Sequence, residues 1–94
     1  MRDTQLPPGA RCYKQIGPFR GDEIPKGLLS EHRLKEGVWG LVAIRDGALD
    51  FVWDDGSGET CRLVAPTQIV VPPTVPHHLE HTEAAEISIA FHSL

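Results

Sequence analysis

From Leu28 onward, apolar and polar positions alternate with a period of two, the pattern of strands whose two faces meet different surroundings. Leu28, Ser30, His32 and Leu34 share one face; Leu29, Glu31 and Arg33 share the other. A turn at Lys35-Glu36-Gly37 leads into a strand over residues 38–44, with Gly40 inside it. A glycine in a strand interior marks a bulge or a close approach to the backbone. Arg45-Asp46-Gly47 predicts a hairpin, because Asp-Gly supplies the positive φ values of a type I′ turn. The next strand puts Leu49, Phe51 and Trp53 on one side and Asp50 and Val52 on the other. A polar stretch at 54–58 predicts an exposed turn, followed by a strand over 59–64, a connector over 65–68 and a short buried strand over 69–71.

The run Ile69-Val70-Val71-Pro72-Pro73-Thr74-Val75-Pro76-His77-His78-Leu79-Glu80-His81 organises the rest. Its prolines fix φ and remove backbone donors, so a stiff turn separates two strands. Alternation after the turn places His77, Leu79 and His81 on one face and His78 and Glu80 on the other. Imidazoles on the leucine side predict a site inside the fold. A loop at 83–85 precedes the last strand, in which Ile87, Ile89 and Phe91 face in and Ser88, Ala90 and His92 face out. Ahead of Leu28 the pattern is weaker. Residues 1–10 form an irregular arm around Pro7-Pro8-Gly9, residues 11–16 a short strand, and Gly17-Pro18, Gly21-Asp22 and Pro25-Lys26-Gly27 punctuate a loop. About eight short strands with turn chemistry between them predict one all-β domain over residues 1–94, a small antiparallel barrel or jelly roll.

Composition narrows the partners. Ninety-four residues with 40% apolar content suit one compact domain. A net charge of −4 argues against a nucleic-acid backbone as partner, which would require a basic surface. No apolar run approaches the ~20 residues of a membrane span, and the first residues lack the apolar stretch of a signal peptide. A cytoplasmic protein is expected. Cys12 and Cys61 have no Cys-x-x-Cys spacing, so free thiols are expected, with Cys61 packing as a small hydrophobe. No serine lies in a nucleophile-elbow context, no glycine loop could cradle a phosphate, and Asp54 and Asp55 belong to a solvated turn.

Ile24-Pro25-Lys26-Gly27-Leu28-Leu29-Ser30-Glu31-His32, Lys35-Glu36-Gly37-Val38-Trp39-Gly40, Gly47-Ala48-Leu49 and Pro72-Pro73-Thr74-Val75-Pro76-His77-His78-Leu79-Glu80 together resemble the TehB/YeaR-like domain family. The resemblance runs from about Tyr13 to Phe91. It implies a small cupin β-barrel, a cytosolic bacterial protein and a link to tellurite or a related stress. It does not imply the methyltransferase activity of the separate domain in full-length TehB, for which this chain has no βαβ unit.

The same resemblance frames the candidate site. Cupins bind a metal through two histidines and a glutamate of a first motif and one histidine of a second. His77 matches the second motif, and His81 falls where the family pattern often has asparagine. In the first motif, Gly40 stands in place of the glutamate, and Leu34, Lys35 and Glu36 occupy the His-x-His positions. His32 lies slightly upstream as a substitute. His32, His77 and His81 would offer three neutral imidazole nitrogens to Zn²⁺, Ni²⁺ or Fe²⁺, leaving positions open for water or a ligand. Glu36, or less favourably Glu80, would supply a carboxylate ligand or an outer partner. Trp39, between Gly37 and Gly40, is expected to close one end of the cavity. Lys35 is the nearest cation for an oxyanion. His78 is expected to be a surface residue alongside Glu80. Three readings stay open: a metal-binding cupin holding a small molecule or oxyanion, a metal-dependent dioxygenase- or isomerase-type enzyme, and a structural module that forms a homodimer through exposed β edges.

Overall fold

A computed structural model describes residues 5–80 and 84–94. Its six strands are β1 (Arg11–Arg20), β2 (Val38–Trp53), β3 (Thr60–Val64), β4 (Thr67–Val71), β5 (His77–Glu80) and β6 (Ala85–Ser93). All pairings are antiparallel. They make one sheet that does not close into a barrel, ordered β1-β6-β2-β3, with β4 and β5 also pairing with β2. Among the described residues, helix is confined to two three-residue 3-10 turns, Gly21–Glu23 and Lys26–Leu28.

Sixteen residues long, β2 has two sets of neighbours. Its first half lies between β6 and β4, with Val42 opposite both Ile89 and Ile69. Its second half lies between β3 and β5, with Phe51 opposite both Cys61 and Leu79. The inward positions change parity between the halves. Val38, Gly40, Val42 and Ile44 are buried in the first; Leu49, Phe51 and Trp53 are buried in the second. One extra residue must be absorbed between them. The register with β6 shifts between Ile44 and Asp46, and Gly47 adopts φ +71°.

The hairpin expected at Arg45-Asp46-Gly47 is therefore a bulge inside one continuous strand. Both devices need a positive φ and both reverse the inward parity, which is why they look alike in sequence. This merger, and the loss of a strand before β2, gives six strands instead of about eight. Residues 28–34 do not form a strand. Leu28 and Leu29 N–H groups donate to the Pro25 and Lys26 carbonyls at 3.0 Å, closing tight turns, and only His32 pairs, in an isolated bridge to His77. Ser88, expected to face out, is buried, because β6 is an inner strand and the Gly17 backbone of β1 approaches it closely. Cys12 is exposed and Cys61 buried, both free.

The core gathers Val42, Ile44, Leu49, Phe51, Trp53 and Ile87 with neighbours from every strand except β1, against which Ile16 and Phe19 of β1 pack. Each large side chain buried this way contributes roughly 1.5–3 kcal/mol. Gly47 locks the bulge into this arrangement. Its carbonyl accepts the Ala65 N–H at 2.9 Å, and a Cβ at this position would collide with the Ala84 carbonyl. Gly47→Ala is expected to destabilise the domain by about 2–4 kcal/mol, from the strained φ and the backbone clash together. Urea unfolding measures it; a loss within about 0.5 kcal/mol, typical of neutral surface changes, would show that the bulge is dispensable.

Candidate functional site

His77 opens β5 immediately after the proline turn and pairs with Trp53 at the end of β2. Burial follows from this register: one residue beyond Trp53, the Asp54 N–H donates to the Pro76 carbonyl at 2.8 Å. The imidazole lies nearly parallel to the Phe51 ring, with centroids 5.3 Å apart and planes 11° apart. His32 is held by the same segment. Its N–H donates to the His77 carbonyl and its carbonyl accepts the His77 N–H, each at 2.9 Å. Two residues on, the Leu34 carbonyl accepts the N–H of Thr74, which adopts φ +64° in the turn. These bonds clamp the segment carrying His32 to the proline turn. They bring the two imidazoles edge to face, with centroids 4.2 Å apart.

The proton positions follow from the partners. His32 Nδ1 is 2.9 Å from the Ser30 carbonyl oxygen, and His77 Nδ1 is 2.8 Å from that of Val75. A carbonyl oxygen only accepts, so both Nδ1 atoms carry hydrogen and donate. In a neutral ring this leaves Nε2 as a bare acceptor. His77 is 4% exposed, and burial pushes its pKa from 6.5 down to about 4, against a smaller opposing effect of the Val75 bond.

Beside the pair is a cavity of about 100 Å³. Among the described residues, His32 and His77 are the polar side chains lining it; Leu34, Val42, Phe51, Val71 and Leu79 make up much of the apolar wall. Gly40 belongs to the same wall, and Leu34 Cδ1 lies 3.1 Å from where a Cβ would stand. The glycine found in place of a motif glutamate thus makes room for Leu34.

Several expected participants are elsewhere. Glu36 and Lys35 are exposed in the turn before β2 and do not line the cavity. That turn carries its side chains into solvent because the inward position passes directly to Val38. Trp39 does not close the cavity. Strand alternation puts it on the face opposite Gly40 and Val42, across from His92 of β6. His81 lies outside the described residues. Among the described residues, no group of three or more His, Cys, Asp or Glu side chains is arranged so that it could hold a metal ion.

Sequence reasoning missed a second cluster. His78, one residue from His77 and on the other face of β5, is half-buried rather than a plain surface group. Its Nδ1 lies 2.6 Å from Asp54 Oδ2 and its Nε2 2.8 Å from Glu80 Oε2. Both nitrogens face carboxylates, which favours the charged, doubly donating form, and Asp54 first, then Glu80, raises the ring's pKa. Asp54, expected in a solvated turn, is instead held against His78. The signal available was its position just past Trp53, next to the strand that pairs with β5.

A family model described as the TehB-like domain matches residues 14–89. No curated protein matches the chain. Among solved structures, TehB from Haemophilus influenzae is 25% identical, with a TM-score of 0.80 over 89% of this chain and 31% of that one. The chain thus spans about a third of the length of TehB. A protein from Escherichia coli strain K12 is 18% identical, with a TM-score of 0.83 over 95% of both chains. A protein from Neisseria meningitidis is 15% identical, with a TM-score of 0.54 over 71% of this chain and 67% of that one. The last two likenesses bear on the fold alone.

The neighbouring histidines impose opposite pH dependences. For His77 the folded value lies below the unfolded one, so its contribution is full above about pH 6.5 and is lost as pH falls towards about 4. For His78 the folded value is raised, so its contribution is full below the unfolded value near 6.5 and is lost as pH rises through the folded one. Between pH 7 and pH 4, the wild type is expected to lose roughly 2–3 kcal/mol more stability than His77→Phe, which cannot titrate there. Urea unfolding across that range measures the difference. Parallel acid limbs for the two proteins would show that His77 is not buried neutral.

Proposed function

The chain belongs to the TehB-like domain family, and on that premise we propose that it is a cupin-type binding domain that holds a small ligand in the cavity beside His32 and His77. The observation that carries this reading is the pair of Nδ1-to-carbonyl bonds, which leave Nε2 as the bare acceptor of each of two neutral rings lining an otherwise apolar hollow. Small-molecule sites have this make-up, an apolar wall with a few placed polar atoms. The finer reading of the fold as a cupin jelly roll draws support from β2, which brings two sets of strands around one core. A homodimer draws support from β1, a ten-residue strand at the edge of the sheet with most of its residues exposed. The whole-protein activity of TehB is not carried over, since the likeness covers 31% of that chain.

A second reading, a transition metal at the same atoms, is favoured by one feature. Imidazole ligands of metals characteristically donate their other N–H to a carbonyl or carboxylate, as both rings do here. His32 and His77 would hold Zn²⁺, Ni²⁺ or Fe²⁺ through Nε2, with His81 as the third ligand. Bound there, the ion would supply Lewis acidity to a small ligand.

Both readings are tested on full-length untagged protein. Short alcohols, short carboxylates and Zn²⁺ are titrated separately at up to millimolar concentration while the methyl signals of Leu34, Val42, Val71 and Leu79 are followed by NMR. At least one probe is expected to shift these methyls saturably, at least tenfold more weakly in His77→Ala. Plasma emission analysis separates the two: the metal reading expects about one transition metal per chain, lost in His77→Ala. A well-dispersed spectrum that no probe perturbs, in protein without stoichiometric metal, would overturn both.

A further inference from the structure

Among the described residues, the polar side chains lining the cavity are two imidazoles. Each imidazole spends its Nδ1 hydrogen on a backbone carbonyl, Ser30 for His32 and Val75 for His77. Neither Nε2 has a hydrogen-bond partner among the described residues, and His77 is 96% buried on its 4% exposure. Among the described residues, no lysine or arginine lines the wall. Lys35, the nominee for contacting an oxyanion, is exposed in the turn before β2. A neutral O–H or S–H donor entering this space would meet an acceptor. A carboxylate or oxyanion would meet two lone pairs and hydrocarbon, shedding its hydration with nothing to replace it.

Resting on the cavity reading above, we propose that this site selects small uncharged hydrogen-bond donors, short alcohols or thiols, and excludes the corresponding anions. Size sharpens the class. A hydrocarbon-lined cavity of ~150 Å³ takes up benzene, so the roughly 100 Å³ here suits a body of about four or five heavy atoms. Phe51, stacked flat on His77, forms part of the floor against which the carbon chain would lie. On this proposal the ligand is a neutral donor, where the sequence led to the expectation of a small molecule or an oxyanion.

The test compares two probes of equal heavy-atom count, 1-butanol and propionate, on the metal-free full chain at pH 8, where an imidazole of ordinary basicity is neutral. Methyl NMR gives each dissociation constant. Butanol is expected to bind at least tenfold more tightly than propionate. It should lose at least fivefold in affinity in His77→Phe, which keeps an aromatic ring beside Phe51 but removes the acceptor. A butanol-to-propionate ratio below tenfold in the wild type would overturn the selectivity while leaving the cavity reading intact. Binding of neither would overturn both. Because the ratio is measured in the wild type, a variant that fails to fold does not shield the proposal.

Discussion

The bulge at the middle of β2 is the constraint from which the rest follows. A strand has only two faces, so a change in inward parity from Ile44 to Leu49 requires an extra residue to be absorbed. Gly47 absorbs it at φ +71°, tucked against the Ala84 carbonyl where no other side chain fits. The first half of β2 can then pair with β6 and β4, and the second half with β3 and β5. Without the shift, Phe51 and Trp53 would face solvent, and the ring that supports His77 would be gone.

From that register the chemistry of β5 is set by alternation. His77 and His78 are adjacent in sequence and opposite in character. One is turned inward, stacked on Phe51 and kept neutral by burial. The other is turned outward between Asp54 and Glu80, which favour its charged form. The outer histidine helps fasten the end of β2 to β5 on the outer face, while backbone bonds from His32 fasten the inner one. An imidazole pair with a fixed tautomer is the result, and it requires no charged group in the cavity wall.

Much of this was legible from residue patterns. The all-β class, the stiff proline turn, the inward faces of His77 and Leu79, and the outward faces of His78 and Glu80 all follow from local alternation. The meeting of His32 and His77 was also anticipated, and the structure joins them by two backbone bonds. What alternation could not resolve was how neighbouring segments connect. Asp46-Gly47 has the same local chemistry in a hairpin and in a bulge, and only the long-range pairing with β6 decides between them. Glu36, Lys35 and Trp39 were drawn to the site by nearness in sequence to a motif. One residue of strand phase turns Trp39 to the opposite face, and the turn leaves the other two in solvent. The Asp54–His78 bond joins residues 24 apart and has no local signature.

The central claim is that both inner imidazoles present bare Nε2 atoms because their Nδ1 hydrogens are committed to carbonyls. Long-range ¹H–¹⁵N correlation of the histidine side chains at pH 8 reads this directly, since protonated and bare ring nitrogens resonate far apart. The account predicts the Nδ1–H tautomer for His32 and His77, in each case with an unprotonated Nε2. A proton on Nε2 of either ring would contradict it.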